Sequence, residues 1–296
     1  MQVDGTTPLW IAARILLYER GDDFFRRRDK VFKTFDAEDI HDLRVSSRRL
    51  REGLTLFTPC YPLGNITRLV KKSKQVTRLF GEIRNSDEAL LFFTALAEEL
   101  DDSCRSALEQ LVQSFQKSRR KCLKKLKVGL REMAPESLRD LYLRVINSPS
   151  LFNLPANGID LFVPLSGFAR TSLDARLSDV MRLVPDARQV GEVEAQHLLR
   201  IAVKHFRYRM EILSGLLGVH FQELLGLVKN YQDVLGKIHD LDVFAEVVRE
   251  ASFPSQTETP VLDAIASKRK NLFKDFITML ENVPLEALGE RVRNAL

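Results

Sequence analysis

Two stretches of the sequence share one pattern: His41-Asp-Leu-Arg-Val-Ser-Ser-Arg-Arg-Leu-Arg51 and His197-Leu-Leu-Arg-Ile-Ala-Val-Lys-His-Phe-Arg207. Because an α-helix advances about 100° per residue, residues three, four or seven positions apart share one side. In each stretch the cations fall on one side and the apolar residues near the opposite side. The cationic sides consist of His41, Arg44, Arg48 and Arg51 in the first stretch, and of His197, Arg200, Lys204 and Arg207 in the second. The pattern predicts two helices with one side for a core and the other for cations.

The likeness extends to two further pairs of segments. Phe80-Gly-Glu-Ile-Arg-Asn-Ser-Asp87 matches Leu235-Gly-Lys-Ile-His-Asp-Leu-Asp242, and Ser118-Arg-Arg-Lys-Cys-Leu-Lys-Lys125 matches Ser267-Lys-Arg-Lys-Asn-Leu-Phe-Lys274. The three matches occur in the same order and begin 156, 155 and 149 residues apart. A nearly constant offset indicates an internal repeat, so we expect two copies of one helical unit.

Prolines and glycines separate the two copies. Residues 147–167 contain five of them, which is typical of a linker. We therefore expect a first helical repeat at residues 1–146, the linker at 147–167 and a second repeat at 168–296. Helical spacing of apolar residues recurs in both repeats, and alternating strand patterns are scarce. The expected fold class is all-α, with long helices packed as bundles.

Composition excludes several classes of protein. The chain of 296 residues is 45% hydrophobic and 29% charged, which is typical of globular and not of disordered proteins. No apolar run approaches the roughly 18 residues of a membrane span, and the first residues do not resemble a signal peptide. The 3 cysteines lack a CxxC spacing, which favours a reducing compartment. We expect a cytoplasmic protein without a membrane span, a bound metal or a cofactor.

The positive charge is placed unevenly. The formal net charge is only +5, but residues 1–150 contain 28 basic and 21 acidic residues against 17 and 19 in the remainder. The usual charged face of an amphipathic helix mixes both signs, and that solvated face is the alternative interpretation here. Like charges one turn apart instead repel by a few tenths of a kcal/mol per pair. Two all-positive rows therefore favour a bound anion, with the first copy contributing more than the second.

Other polar residues allow more than one interpretation. His41 and His197 begin the two rows, where an imidazole could either donate to a phosphate or serve the start of a helix. Arg84 with Asp87, and His239 with Asp242, are expected to pair on one helix face in a structural role. Asp240 could join a site for a hard cation such as Mg²⁺, but the first copy has no matching carboxylate.

The search for catalytic motifs is negative. The sequence contains no phosphate-binding GxxxxGK[ST] loop, no dinucleotide-binding fingerprint and no GxSxG elbow. Cations are duplicated in the two copies whereas a set of two carboxylates is not. This contrast favours binding over hydrolysis, so we expect no catalytic residues.

The string HDLRVSSRRLR, followed by Gly-Glu-Ile-Arg-Asn-Ser-Asp and by a weaker second copy, resembles the CHAD family, the conserved-histidine α-helical domain. The resemblance implies two four-helix bundles related by a pseudo-twofold axis, with basic surfaces that meet in a central groove and bind inorganic polyphosphate. The family motif falls on His41, Arg44, Arg48, Arg49 and Arg51, and on His197, Arg200, Lys204 and Arg207, with His205 in place of a second Arg49. Repeated basic patches add Lys74, Arg120 and Lys121, matched by Lys229, Arg269 and Lys270.

Four functions are compatible with these residues, and non-enzymatic binding of inorganic polyphosphate ranks first. Nucleic acid ranks second because its backbone is also a polyanion, although base stacking needs exposed aromatics and only Tyr208 is suitably placed. A metal-dependent phosphohydrolase or an accessory of triphosphate handling ranks third, and a helical scaffold fourth. Polyphosphate binding further predicts an association with polyphosphate granules and no role at membranes.

Overall fold

A computed structural model describes residues 3–132, 135–151 and 159–296. Within these ranges the chain forms ten α-helices, several short 3-10 turns and no β-strand. The helices are α1 Leu9–Thr34, α2 Ala37–Leu56, α3 Leu63–Glu99, α4 Asp102–Glu132, α5 Pro135–Ile146, α6 Leu165–Ala187, α7 Val193–Ile212, α8 Phe221–Glu250, α9 Ser255–Asn282 and α10 Leu285–Asn294. The predicted all-α fold class is confirmed.

Local sequence signals explain where many of these helices begin. Five of them start directly after a proline, whose fixed φ suits the residue before or at the first turn. These prolines are Pro8, Pro62, Pro164, Pro254 and Pro284. The α2 helix instead begins after Asp36, whose carboxylate accepts a hydrogen bond from the Glu38 amide at 2.8 Å.

The helices of the two halves pack in the same order. In the first half α1 packs on α2, α2 on α3 and α3 on α4; in the second half α6, α7, α8 and α9 make the corresponding contacts. Helix α5 returns to α1 and α3, and α10 contacts α6 and α8. This order agrees with the expected duplication, whose pseudo-twofold axis and domain boundaries stay predictions. Of the expected linker, residues 152–158 lie outside the described residues, and α6 already begins at Leu165.

The apolar side of the repeated pattern lies in the core. Leu43, Leu50 and Leu54 of α2 are buried together with Leu199 and Phe206 of α7, in one cluster that runs through both halves. This packing contributes on the order of 2 kcal/mol for each large apolar side chain removed from water.

A second apolar cluster joins the α3–α4 pair of helices to the α8–α9 pair. Phe92 and Phe93 of α3 contact Phe244 of α8, with ring centroids 4.5 Å and 5.4 Å apart. The two halves therefore contact each other through α2 and α7 and again through the ends of α3, α4, α8 and α9. None of the described helices has the length and apolar character needed to cross a membrane.

Candidate anion-binding site

Five cationic side chains of α2 and α7 face one another and form what we call the cationic cluster. Each is partly buried, and each lies within electrostatic range of other members. Across the described residues, none of the five has a carboxylate oxygen within 4.0 Å or donates a side-chain hydrogen bond. The cluster consists of Arg44, Arg48 and Arg51 of α2 and of Arg200 and Lys204 of α7.

The cluster is electrostatically unfavourable in the absence of an anion. Burial, followed by the charges of Arg48 and Arg200, lowers the pKa of Lys204 to about 7. Burial and the charge of Arg48 likewise lower the pKa of Arg44 to about 10, and the Nε atom of Arg44 is buried without a hydrogen-bond partner. Both effects disfavour the charged forms, so a bound anion would stabilise the cluster.

Carboxylates border the cluster on α3 and α8. Burial, and then the nearby charge of Glu88, raise the pKa of Asp240 to about 6. Glu88 itself is held by Arg84, with 2.8 Å between Arg84 Nε and Glu88 Oε1. The described residues contain no group of three His, Cys, Asp or Glu side chains that could hold a metal ion.

Arg49 and Arg207 belong to a different network. Arg49 Nε donates to Glu211 Oε2 at 2.6 Å, and Arg207 Nε lies 3.5 Å from Glu211 Oε1. The Arg207 guanidinium also lies 4.9 Å from the ring centroid of Tyr208. These two predicted binding residues are therefore engaged by a buried carboxylate, and the structure does not bring them into the unpaired cluster.

Glu52 makes the reciprocal connection from α2 to α7. Its carboxylate lies 2.6 Å from Arg209 Nη2 and 2.9 Å from His205 Nδ1, and Arg176 of α6 approaches to 3.2 Å. Burial acts to raise the pKa of Glu52, but the His205 hydrogen bond and the two arginines outweigh it and lower this pKa to about 2. Sequence reasoning missed Glu52 and Glu211. The available signal was that Glu52 is an isolated acid directly after the basic row.

The histidines take unequal positions. His41 lies near the start of α2 with much of its side chain exposed, and partial loss of hydration followed by the charge of Arg84 lowers its pKa. His197 Nδ1 lies 3.0 Å from His239 Nδ1, so the two imidazoles share a hydrogen bond. Burial and the charges of Arg200 and His197 lower the pKa of His239 to about 4, so His239 is neutral at physiological pH.

The expected pairing of residues three apart on one helix is wrong. Asp87 pairs with Arg119 of α4, and Asp242 lies 2.5 Å from Arg269 of α9. Arg269 also donates to Gln196 at 2.8 Å, so this predicted binding residue is held by two neighbours. Interhelical packing brings a better partner to each carboxylate than its own helix does.

The remaining predicted binding residues lie apart from the cluster. All are exposed, and none is among the side chains that perturb Arg44 or Lys204. They are Lys74 of α3, Arg120 and Lys121 of α4, Lys229 of α8 and Lys270 of α9. Tyr208, the one aromatic that the sequence placed for base stacking, is only 3% exposed, so that expectation is wrong.

A cavity of about 540 Å³ opens beside the cluster at the start of α2. Its polar lining includes His41 and Arg44 of α2, Arg84 and Asp87 of α3, and Arg119 of α4. Arg44 thus belongs both to this cavity and to the cationic cluster.

The comparisons with known proteins agree with this architecture. The family model of the CHAD domain matches residues 16–249. A crystal structure of the CHAD domain from the plant Ricinus communis is 23% identical with a TM-score of 0.60, and the match covers 100% of this chain and 95% of that chain. PptA from Streptomyces chartreusis is 14% identical with a TM-score of 0.70, covering 93% and 99%. A search of curated proteins found no match. Because the family model spans well over half of the sequence, the chain belongs to the CHAD family.

Proposed function

We propose that this protein binds inorganic polyphosphate in the cationic cluster without chemically changing it. The observation that carries the proposal is a set of five partly buried cations that no described carboxylate neutralises within 4.0 Å. The link between the CHAD family and polyphosphate handling supports the choice of ligand.

The chemistry of the cluster suits a linear chain of phosphates. Arg51 lies seven positions after Arg44, so the α2 row is roughly 10 Å long. A guanidinium can donate two parallel hydrogen bonds to phosphate oxygens, and it stays charged at any physiological pH. Each phosphate that replaces water in the cluster also removes part of the repulsion among the cations.

Nucleic acid is the second candidate because it offers the same charged backbone. Stacking of bases would require an exposed aromatic ring near the cations. Tyr208, the nearest candidate in sequence, is buried beneath Arg207. The cluster is therefore better suited to a polyanion without bases. Binding of polyphosphate in turn implies a cytoplasmic protein that associates with polyphosphate granules.

The test is a titration of the full chain with long-chain polyphosphate and with single- and double-stranded DNA at several salt concentrations. We expect polyphosphate to bind more tightly than either DNA at physiological salt. Arg44→Glu and Arg48→Glu should each weaken polyphosphate binding at least about tenfold, since each reverses a charge in desolvated surroundings. Arg182→Glu, at an exposed position of α6, is the matched control.

The opposite results would refute the proposal. Unchanged binding by the Arg44 and Arg48 variants would place the ligand elsewhere, and tighter binding of DNA would make nucleic acid the ligand. Release of phosphate from polyphosphate in the presence of Mg²⁺ would show an enzyme. CHAD domains are generally non-catalytic binding domains, which supports the expectation that no phosphate is released.

A further inference from the structure

Lys204 occupies an unusual position for a lysine. It lies on α7, partly buried, directly opposite the arginine row of α2. Among the described residues no carboxylate oxygen comes within 4.0 Å of its amine. The charged or titratable groups that act on Lys204 or are acted on by it are Arg44, Arg48 and Arg51 of α2, Arg200 of α7 and His239 of α8.

This position gives the amine and its neighbours different protonation states. Burial and the charges of Arg48 and Arg200 hold the pKa of Lys204 at about 7, so near neutral pH a large share is the free amine. The surrounding guanidinium groups remain charged under the same conditions. A nucleophile and an anion-binding site therefore coexist within one cluster, as in lysine nucleophiles that neighbouring cations activate. The negative charge of one bound phosphate group raises the pKa of Lys204 but does not cancel the charges of the four arginines, so part of Lys204 stays a free amine.

We propose that Lys204 is a self-acylation site for acyl phosphates, small molecules in which a carbonyl carbon is bonded to a phosphate oxygen. The arginines would bind the phosphate group and hold the adjacent carbonyl carbon near the Lys204 Nζ atom. Positioning of this kind converts a bimolecular encounter into an effectively unimolecular step.

The reaction balances without a further reagent. The lone pair of the Lys204 Nζ atom attacks the carbonyl carbon, and a C–N bond forms. The C–O bond to phosphate then breaks, and phosphate leaves with both electrons of that bond. The nitrogen loses one proton to the departing phosphate or to water. The products are an amide on Lys204 and inorganic phosphate.

The inference rests on the proposed function in one respect, since both need phosphate to enter the same cluster. Acylation would replace an ionisable amine by a neutral amide and add bulk between α2 and α7. We therefore expect acylated protein to bind polyphosphate more weakly than unmodified protein. In this way the level of acyl phosphates would regulate the binding site.

The test uses acetyl phosphate on the folded full chain, followed by mass spectrometry that quantifies acetylation at each lysine. Lys229 and Lys270 are exposed and serve as internal controls. We expect acetylation of Lys204 at least about tenfold faster than at either control, because of local phosphate binding. Pyrophosphate should suppress the reaction at Lys204 and leave the controls unchanged, and Arg48→Gln should slow it.

A second reagent separates positioning from simple nucleophilicity. An uncharged N-hydroxysuccinimide ester of acetate lacks the phosphate group, so the advantage of Lys204 over Lys270 should shrink with this reagent. Equal rates at the three lysines with acetyl phosphate, or equal suppression of all three by pyrophosphate, would refute the inference. Polyphosphate affinity is measured on the same preparation. Tight polyphosphate binding without preferential Lys204 acetylation overturns the inference alone, whereas loss of both overturns the proposed function as well.

Discussion

Two buried carboxylates bring α2 and α7 together. Glu52 of α2 binds Arg209 and His205 of α7, and Glu211 of α7 binds Arg49 of α2. Glu52 is 3% exposed and Glu211 is 7% exposed, so each arrangement replaces hydration by charged hydrogen bonds. At the scale of single residues, these contacts decide which arginines are neutralised and which remain available to a ligand.

Removal of the Glu52 charge should destabilise the protein. In Glu52→Gln, Arg209 keeps its charge in buried surroundings and loses its partner, which costs about 3–5 kcal/mol for a broken buried pair. Chemical unfolding at pH 7 measures the change, with Glu250→Gln at the exposed end of α8 as the control. The pKa of Glu52 falls from an ordinary 4.5 to about 2 on folding.

The lowered pKa also sets the pH window of this contribution. The stabilisation by Glu52 is complete above pH 4.5 and is lost as the pH falls from there toward 2. The free energies of unfolding of the parent and Glu52→Gln should therefore converge in acid. An equal difference at pH 7 and at pH 3 would show that the carboxylate charge is not the cause.

Polyphosphate affinity should decrease as the pH rises above neutrality. Phosphates bound in the cluster favour charged Lys204, so binding takes up a proton at pH values above its free pKa of about 7. Asp240, with a pKa of about 6, ionises beside the cluster and acts in the same direction at lower pH. Dissociation constants from pH 5.5 to 9 measure both effects.

Lys204→Arg separates these two contributions. Arginine stays charged, so this variant should lose the decrease above pH 7 and keep the smaller decrease near pH 6. If the variant follows the same pH profile as the parent protein, Lys204 is not the responsible group. Arg182→Gln, at an exposed position of α6 outside the cationic cluster, provides the control for charge removal elsewhere.

At the scale of helices, two interhelical ion pairs revise the register of the repeat. Arg119 of α4 binds Asp87 of α3, and Arg269 of α9 binds Asp242 of α8. The carboxylates are 155 residues apart and the arginines 150, whereas the sequence match paired Arg119 with Lys268. Because several basic residues are adjacent in each segment, the two segments can be aligned in two ways that differ by one position. Only the carboxylate that each arginine binds shows that Arg269, and not Lys268, is the counterpart of Arg119.

Gly21 allows α1 and α5 to approach closely. A Cβ atom at this position would lie 2.2 Å from the ring of Tyr142, whose hydroxyl donates to the Leu17 carbonyl. Gly21→Ala should therefore destabilise the protein by about 1–3 kcal/mol through overpacking. Thermal and chemical unfolding check this expectation.

Gly81 in the interior of α3 is the matched control. A Cβ atom there meets no heavy atom within 4 Å. Gly81→Ala should accordingly stabilise the protein by up to about 1 kcal/mol through helix propensity. An identical stability change in both variants would show that the Tyr142 contact is not what limits residue 21.

At the scale of the whole molecule, the two halves contribute unequally to the cluster. Helix α2 supplies three of its five cations, and the Lys204 amine of α7 is only partly charged at neutral pH. The double variant Arg48→Gln/Arg51→Gln should therefore lose more polyphosphate affinity at pH 7 than Arg200→Gln/Lys204→Gln. Its binding should also depend less on salt: the slope of the logarithm of the binding constant against the logarithm of the salt concentration should fall by roughly one unit for each full charge removed. Equal losses would contradict the expected dominance of the first half.

Local periodicity made much of this molecule predictable. The 3.6-residue repeat of apolar positions indicated helices throughout, and Leu43, Leu50 and Leu199 are buried as that repeat requires. The five cations of the cluster were all among the predicted binding residues. The family also followed from short stretches of sequence, because its motif depends on residues near one another in the chain.

Tertiary structure alone decided which cations remain unpaired. Arg48 and Arg49 are neighbours of the same type, yet Arg49 is bound by Glu211, 162 residues further along the chain, while Arg48 lies in the cationic cluster. The perturbed pKa of Lys204 likewise arises from arginines on another helix. Helical periodicity is a property of adjacent residues and can be read from sequence. Charge pairing and burial instead depend on the distances between side chains that only the packing of α2 against α7 brings together.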